Sequence, residues 1–428
     1  MQTLSSAAKM PWLATAKDHY GSPRWSAEIS DCSVPMTFDT YSLCSYGCLY
    51  CFSNYQRDVG GAKRAFQDRK LKVVDIHNVE RIFEEPESSQ FQHYVEARMP
   101  FQWGGLSDAF DEFERRYKCT LELLRFFHSI AYPITFSTKG TWWVQEPEYR
   151  SLFEGMPWNV KVSIISLDER KVHAIERGVP STAERLEAMA EMSKFVEGGV
   201  TLRLRPFIIG MTDPYHEALI HKAAEAGATA VSTEFFCLET RSPGGRKWRY
   251  PAMSEALGYD VQAFYREHSH VPGYLRLDRD TKRPYVNEME RACKEAGIRL
   301  HVSDAHFKER SATGSCCGLP AEWGWTRGQW CEALQIARVK GEVRWADIEH
   351  DLSTIVGDVP LTGASGYQTN STEYRAMFDK RSLYDVMRHR WNHPKAGNSP
   401  YRMFEGILKP DRLDEDGDVV YVYDASRA

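Results

Sequence analysis

Short apolar runs rich in β-branched and aromatic residues alternate along the chain with longer segments whose apolar positions recur at helical spacing. The first pattern predicts strands at Val34–Tyr41, Tyr94–Trp103, Ile134–Ser137, Val160–Ser166, Thr201–Ile208, Thr229–Phe236 and Ile298–Val302. The second predicts amphipathic helices between them, among them Cys119–Ile130, Thr182–Val196 and Pro214–Ala226. Strand followed by helix, repeated along the chain, is the pattern of βα units and a parallel sheet, so the fold class is α/β. Residues 241–295 read as a polar insertion before the last strand, and 1–33 as an N-terminal extension. Residues 311–428 read as a C-terminal extension ending in a hairpin-like segment, Leu413–Tyr423, with a turn at Asp416-Gly417. There is no internal repeat and no low-complexity tract.

The chain has 428 residues, enough for a barrel core of about 250 residues and a further module. Its 12 Trp, 21 Tyr and 20 Phe argue for a packed interior. The net charge of −5 argues against nucleic-acid affinity over the whole surface but leaves room for a local basic face. No stretch approaches the roughly 18 apolar residues of a membrane span, so a cytoplasmic protein without a membrane partner is expected. Ten cysteines fit a reducing compartment better than a disulfide framework.

Three of those cysteines fall within eight residues, Cys44-Ser-Tyr-Gly-Cys48-Leu-Tyr-Cys51. A C-x3-C-x2-C loop holds three thiolates close enough to ligate three corners of a cubane iron–sulfur cluster, leaving the fourth iron open to a substrate or cofactor. The alternative is a zinc knuckle or three unrelated thiols. Zinc sites usually pair one C-x2-C with a second downstream, and no partner pair is present.

The loop follows the first predicted strand, and in a parallel barrel the chemistry collects at strand C-termini. Other strand ends carry polar groups. The second ends in Trp103-Gly104-Gly105-Leu106-Ser107-Asp108, where two glycines admit close backbone approach to a ligand or merely make a turn. Ser137-Thr138-Lys139 and Ser163 to Ser166 close the third and fourth, as ligand contacts or helix caps. Arg203 and Arg205 stand two apart on one face of the fifth, aimed at an anion or outward to solvent.

The triad, with Tyr50 just before its last cysteine, resembles the signature of the radical S-adenosylmethionine (SAM) superfamily. Further segments resemble the spore photoproduct lyase branch: Ser166-Leu-Asp-Glu, His173-Ala-Ile-Glu176-Arg-Gly178-Val-Pro180-Ser181, Glu184-Arg185-Leu186 and Arg205-Pro206-Phe-Ile-Ile-Gly210-Met-Thr-Asp213. Arg177 stands where that branch has proline, and Gly210 lacks the preceding proline. Ser107-Asp108 with Glu114-Arg115-Arg116 also resembles a segment of that branch, and the likeness covers roughly 36 to 215.

The resemblance implies a partial (β/α)6 TIM-type barrel over 34–310. It implies a 4Fe-4S cluster on Cys44, Cys48 and Cys51 that gives an electron to SAM, with hydrogen abstraction from a substrate. Gly104, Gly105, Ser107, Ser166, Glu176, Arg185 and Arg205 become SAM-site candidates, and Tyr50 a catalytic one. An electron donor such as flavodoxin or ferredoxin is implied. Branch members use a dedicated cysteine as hydrogen donor. The single cysteine in the corresponding region, Cys119, has no match to it, which speaks against reversal of a DNA photolesion.

Downstream, Cys316 and Cys317 lie in a Gly/Pro-flanked loop with Cys331 fourteen residues beyond. With Cys237 they are candidates for an auxiliary cluster, or Cys316 and Cys317 for quenching a substrate radical; the plain reading is buried thiols. Arg241 to Tyr250 and Arg375 to Arg402 mix cations with aromatics, as single strands or flipped bases require, or form solvated faces. The expected function is hydrogen abstraction from a nucleobase in DNA or RNA; the alternative is a radical SAM isomerase or mutase on a small or amino-acid-like substrate.

Overall fold

The computed structural model describes residues 23–25, 32–54, 71–269, 274–313, 315–320, 329–350, 383–396 and 399–428. Most of the N-terminal extension, Gly314 and the basic residues from Arg375 to Arg381 lie outside the described residues.

The main sheet contains β1 (Met36–Phe38), β2 (Phe101–Trp103), β3 (Ile134–Thr138), β4 (Trp158–Ser163), β5 (Val200–Phe207), β6 (Ala228–Phe235) and β7 (Arg299–Val302), side by side in chain order. Ladders β3–β4, β4–β5 and β5–β6 are parallel. Parallel neighbours wound in one direction place their crossover helices on one face, because such crossovers share one hand. The other face is left as the concave wall of a partial (β/α)6 barrel.

Residue types agree with that geometry. Phe136, Val160, Val162, Leu202 and Leu204, alternating along β3 to β5, are fully buried on the apolar face. The intervening positions are polar: Ser137 pairs in register with Lys161, Lys161 with Thr201, Ser163 with Arg203, and Arg203 with Ser232. Arg203 and Arg205 therefore share the concave face.

Several elements are shorter than their apolar runs. The run Tyr94–Trp103 splits into a helix, Gln92–Glu96, and β2. Arg98 takes a left-handed φ of 52° and Pro100 has no N–H to give a ladder. The first run keeps only Met36–Phe38 as strand, because Asp39 turns its carboxylate to the next loop and Thr40 O accepts from Val74 N at 2.9 Å. Helix α1 (Cys119–Ser129) falls within a residue of its predicted span. Helix α2 (Thr182–Met192) starts at a capping box, Ser181 with Glu184. Helix α3 spans His216–Glu225.

The stretch expected as a polar insertion is mostly helical. After a π-turn at Gly245–Arg249 come Tyr250–Leu257, Val261–Glu267 and α4 (Arg279–Ala296). Asp260 and Asp278 cap the last two, a signal that the polar composition concealed.

The chain forms two compact units, one from Phe38–Ile76 and Gln102–Leu300, the other from Pro23–Thr37, His77–Phe101 and His301–Ala428. In the second, Leu408–Leu413 and Val419–Tyr423 form the C-terminal hairpin, and Glu342–Val343 adds a third strand. Trp391 donates to Val419 O at 2.6 Å and packs edge-on to Tyr421, which ties Leu383–Trp391 to that sheet. No helix among the described residues is long and apolar enough to cross a membrane.

Candidate iron–sulfur and cofactor site

The cysteine loop leaves β1 and is pinned at both ends. Gly47–Cys48 pairs antiparallel with Glu176–Arg177, and Leu49 N donates to Ile175 O at 2.9 Å. A Cβ on Gly47 would lie 3.2 Å from that of Arg177, so a small residue lets the two segments pair. Ser45 N donates to Asp111 Oδ2 at 2.6 Å, and Asn54 Nδ2 to Cys48 O at 3.3 Å. A loop held at so many points presents its three thiols in one arrangement.

Behind Cys48 lies a buried charged group. Glu176, fully enclosed, accepts from Arg185 Nη1 at 2.9 Å and from the Tyr50 hydroxyl, and Lys139 Nζ lies 3.8 Å away. Burial pushes the Glu176 carboxyl up, but Arg185 and then Lys139 outweigh it and hold the group below its ordinary range. Burial pushes the Cys48 thiol up to about 12 against the pull of Lys139. At Cys48 the cations Lys139 and Arg185 work against burial and Glu176, while Asp111 and Asp108 bear on Cys44. The donor set fits a cluster: three thiols on a pinned loop, with cations behind Cys48, replace protons by iron.

Arg185 also keeps one donor unspent. Nη1 is spent on Ser163 O at 2.7 Å and on Glu176, while Nη2, fully buried, has no hydrogen-bond partner. A buried guanidinium N–H without an acceptor is costly.

Gly104 has φ of +87°, and a Cβ there would stand 2.7 Å from Ser137 O. Only glycine fits, and Gly105 continues the bend. The loop after it hangs on Asp39, whose Oδ1 accepts Leu106 N at 2.7 Å and Ser107 N at 2.8 Å. Ser107 turns its hydroxyl to Tyr41 O at 2.8 Å, and Ser166 gives its own to Met211 O at 2.6 Å. Both hydroxyls therefore hold backbone. Asp108 ties the ends of β2 and β3, accepting from Thr138 Oγ1 at 2.7 Å and Lys139 N at 2.6 Å. Arg205 pairs with Glu234 on the concave wall.

Cys316 and Cys317 belong to the second unit, buried among Val34 and Leu319 with Cys32 packed against them. Cys331 accepts from Lys308 Nζ at 3.5 Å. Cys237 is in the first unit, in the short strand Cys237–Glu239.

Of the two basic-aromatic stretches, the first is open: Arg246 and Lys247 are exposed beside Trp248, itself half exposed. Arg249 is turned inward onto Ser242 Oγ at 2.6 Å. In the second, Arg390 and Trp391 are buried and Arg388 pairs with Asp418, while His393, Lys395 and Arg402 are exposed.

Sequence reasoning missed Asp39, Asp111 and Lys161. Lys161 is fully enclosed and donates to Gln102 Oε1 on the concave wall. Its one sequence signal was the polar alternation of Asn159, Lys161 and Ser163.

No family model and no curated protein matches the chain. Among solved structures, a spore photoproduct lyase mutant with bound AdoMet and dinucleoside spore photoproduct aligns at 14% identity, over 66% of this chain and 80% of that one, with a TM-score of 0.49. Spore photoproduct lyase complexed with dinucleoside spore photoproduct gives 14%, 65%, 78% and 0.48. Streptococcus suis SuiB bound to precursor peptide SuiA gives 13%, 62%, 48% and 0.38.

Proposed function

We propose that the chain is a radical SAM enzyme. Cys44, Cys48 and Cys51 hold a 4Fe-4S cluster, and SAM binds between that loop and the strand ends around Gly104 and Arg185. The observation that carries this reading is the pinned triad backed by the Glu176, Arg185 and Lys139 group, with Arg185 Nη2 buried and unanswered. Cluster and SAM together supply one-electron cleavage and hydrogen abstraction. The chain's own residues do the rest. Gly104 lets the β2 loop lie close, Arg185 Nη2 supplies a donor suited to the SAM carboxylate, and Glu176 fixes both Arg185 and Tyr50. A flavodoxin- or ferredoxin-type donor would supply the electron to a cluster held by Cys44, Cys48 and Cys51.

The substrate we infer is a nucleobase or modified base in nucleic acid. Two observations support it: a concave wall carrying Lys161, Arg203 and Arg205, and the exposed Arg246, Lys247 and Trp248. A polar, cationic wall suits a hydrogen-bonding substrate with anionic groups. The second reading, an isomerase or mutase on a small molecule, is favoured by the packing role of Arg390 and Trp391.

The test is anaerobic reconstitution and reduction, with 5′-deoxyadenosine quantified by mass spectrometry with and without DNA and RNA oligonucleotides. Strong stimulation by an oligonucleotide, weakening with salt and with Arg203→Gln, is expected. Cleavage indifferent to nucleic acid moves the substrate to a small molecule. No cleavage at all defeats the enzyme reading.

A further inference from the structure

On the helical side of the first unit, His216, Glu217 and Glu288 bring one ligand atom each within 4.8 Å of one another. His216 opens α3 and Glu288 lies on α4. The His216 ring is 97% enclosed, with Phe207 at 5.3 Å and Tyr285 at 6.1 Å between ring centroids, so its orientation is set by packing. Neither ring nitrogen completes a hydrogen bond.

Nε2 lies 3.0 Å from Glu288 Oε2, within hydrogen-bonding distance but without the alignment of a hydrogen bond. Two ligands on one cation stand in just that relation. Metal bonds of about 2.1 Å separate nitrogen and oxygen by about 3 Å at right angles and about 3.4 Å at the tetrahedral angle, with neither pointing at the other.

The charges agree. Glu217, Glu288 and Asp213 face the ring, and the cation at the site, Arg291, donates to Glu217 Oε2 at 2.6 Å. Three carboxylates and one guanidinium leave two negative charges. Glu217 and Glu288 are each about a third exposed, which gives an ion a path from solvent.

We propose that His216, Glu217 and Glu288 bind a divalent transition-metal cation of the zinc class, with water completing its coordination. The ion staples the start of α3 to α4, independently of the cysteine loop. Glu217 reaches it through Oε1 while Oε2 keeps Arg291.

The test uses the full chain, stripped with chelator and titrated with Co2+ without oxygen, against His216→Ala and Glu288→Gln. Expected is one equivalent showing the visible bands of nitrogen and oxygen ligation without thiolate charge transfer, and a metal-dependent rise in Tm. Both should be lost in His216→Ala and weakened about tenfold or more in Glu288→Gln. Glu288 is open enough that its variant keeps the metal-free Tm of the parent, so loss of binding there is not loss of fold. Binding that shows only thiolate charge transfer, or that survives both variants, overturns the proposal. Failure of SAM cleavage does not touch it.

Discussion

Two groups of cysteines in this protein sit in opposite surroundings. Around Cys44, Cys48 and Cys51 the neighbours are a lysine, an arginine, carboxylates and a tyrosine hydroxyl, all anchored to strand ends. Cys316 and Cys317 lie in an apolar cluster with Val34, Leu319 and another thiol. In the first environment burial pushes the Cys44 and Cys48 thiols up, with Asp111 and Asp108 adding to it at Cys44 and Lys139 pulling against it at Cys48, so metal rather than the surroundings must displace their protons. Spacing made the first group a candidate for iron and a Gly/Pro-flanked loop the second; the contrast in surroundings predicts iron on the first and packing for the second.

The largest effect expected from breaking this contrast is on iron. Cys48→Ala should abolish cluster iron and SAM cleavage together, by iron analysis and product quantification. Cys316→Ala with Cys317→Ala should leave iron unchanged and lower the midpoint of chemical unfolding, as removal of buried side-chain volume does. Loss of iron in the double variant would reverse the comparison.

Next comes the charged group behind the loop. Glu176→Gln strands Arg185 and Lys139 without their carboxylate. Breaking a buried ion pair by removing one partner costs about 3–5 kcal/mol. Denaturant unfolding of the apo protein should show a loss of that order, and a loss below 1 kcal/mol would mean the group is not buried as described.

Gly104→Ala forces a side chain into a left-handed backbone against Ser137 O. A cost of about 1–3 kcal/mol is expected, with weaker SAM binding by calorimetry. Unchanged affinity would separate Gly104 from the cofactor site.

The smallest effect is a pH slope. Glu114 accepts from Tyr149 OH at 2.6 Å, Tyr41 OH at 2.7 Å, Thr120 N at 2.7 Å and Leu121 N at 2.9 Å. Burial nevertheless pushes its carboxyl up to about 7. A carboxyl with a raised pKa binds its proton more tightly when folded. Its contribution to stability is therefore complete below the ordinary carboxylate range and is lost as pH rises through about 7. Tyr149→Phe removes a bond to the ionised form and should move that window upward. Stability that instead rises over this range would show Glu114 ionised throughout.

Much of the barrel was legible because periodicity reports which face of a strand or helix is apolar. β3 to β6 and α1 to α3 lie where alternation and helical spacing put them. The run Tyr94–Trp103 failed because an apolar composition suits a buried helix as well as a strand, and the left-handed turn at Arg98 leaves no compositional trace. Residues 241–295, read only as a polar insertion, contain helices whose two aspartate caps the polar composition concealed. In the site, Arg185 was marked by motif resemblance. Lys139 read only as a polar strand end, and Lys161 carried only the polar alternation of its strand.

The sequence by itself determined the order of strands and helices and the spacing of three thiols, because both are local properties of neighbouring residues along the chain. Tertiary structure decided which polar groups face one another: Glu176 against Arg185 and Tyr50, Asp111 against Ser45, His216 against Glu288. Those pairings join residues far apart in the chain, and their electrostatics follow from the water that folding removes around them.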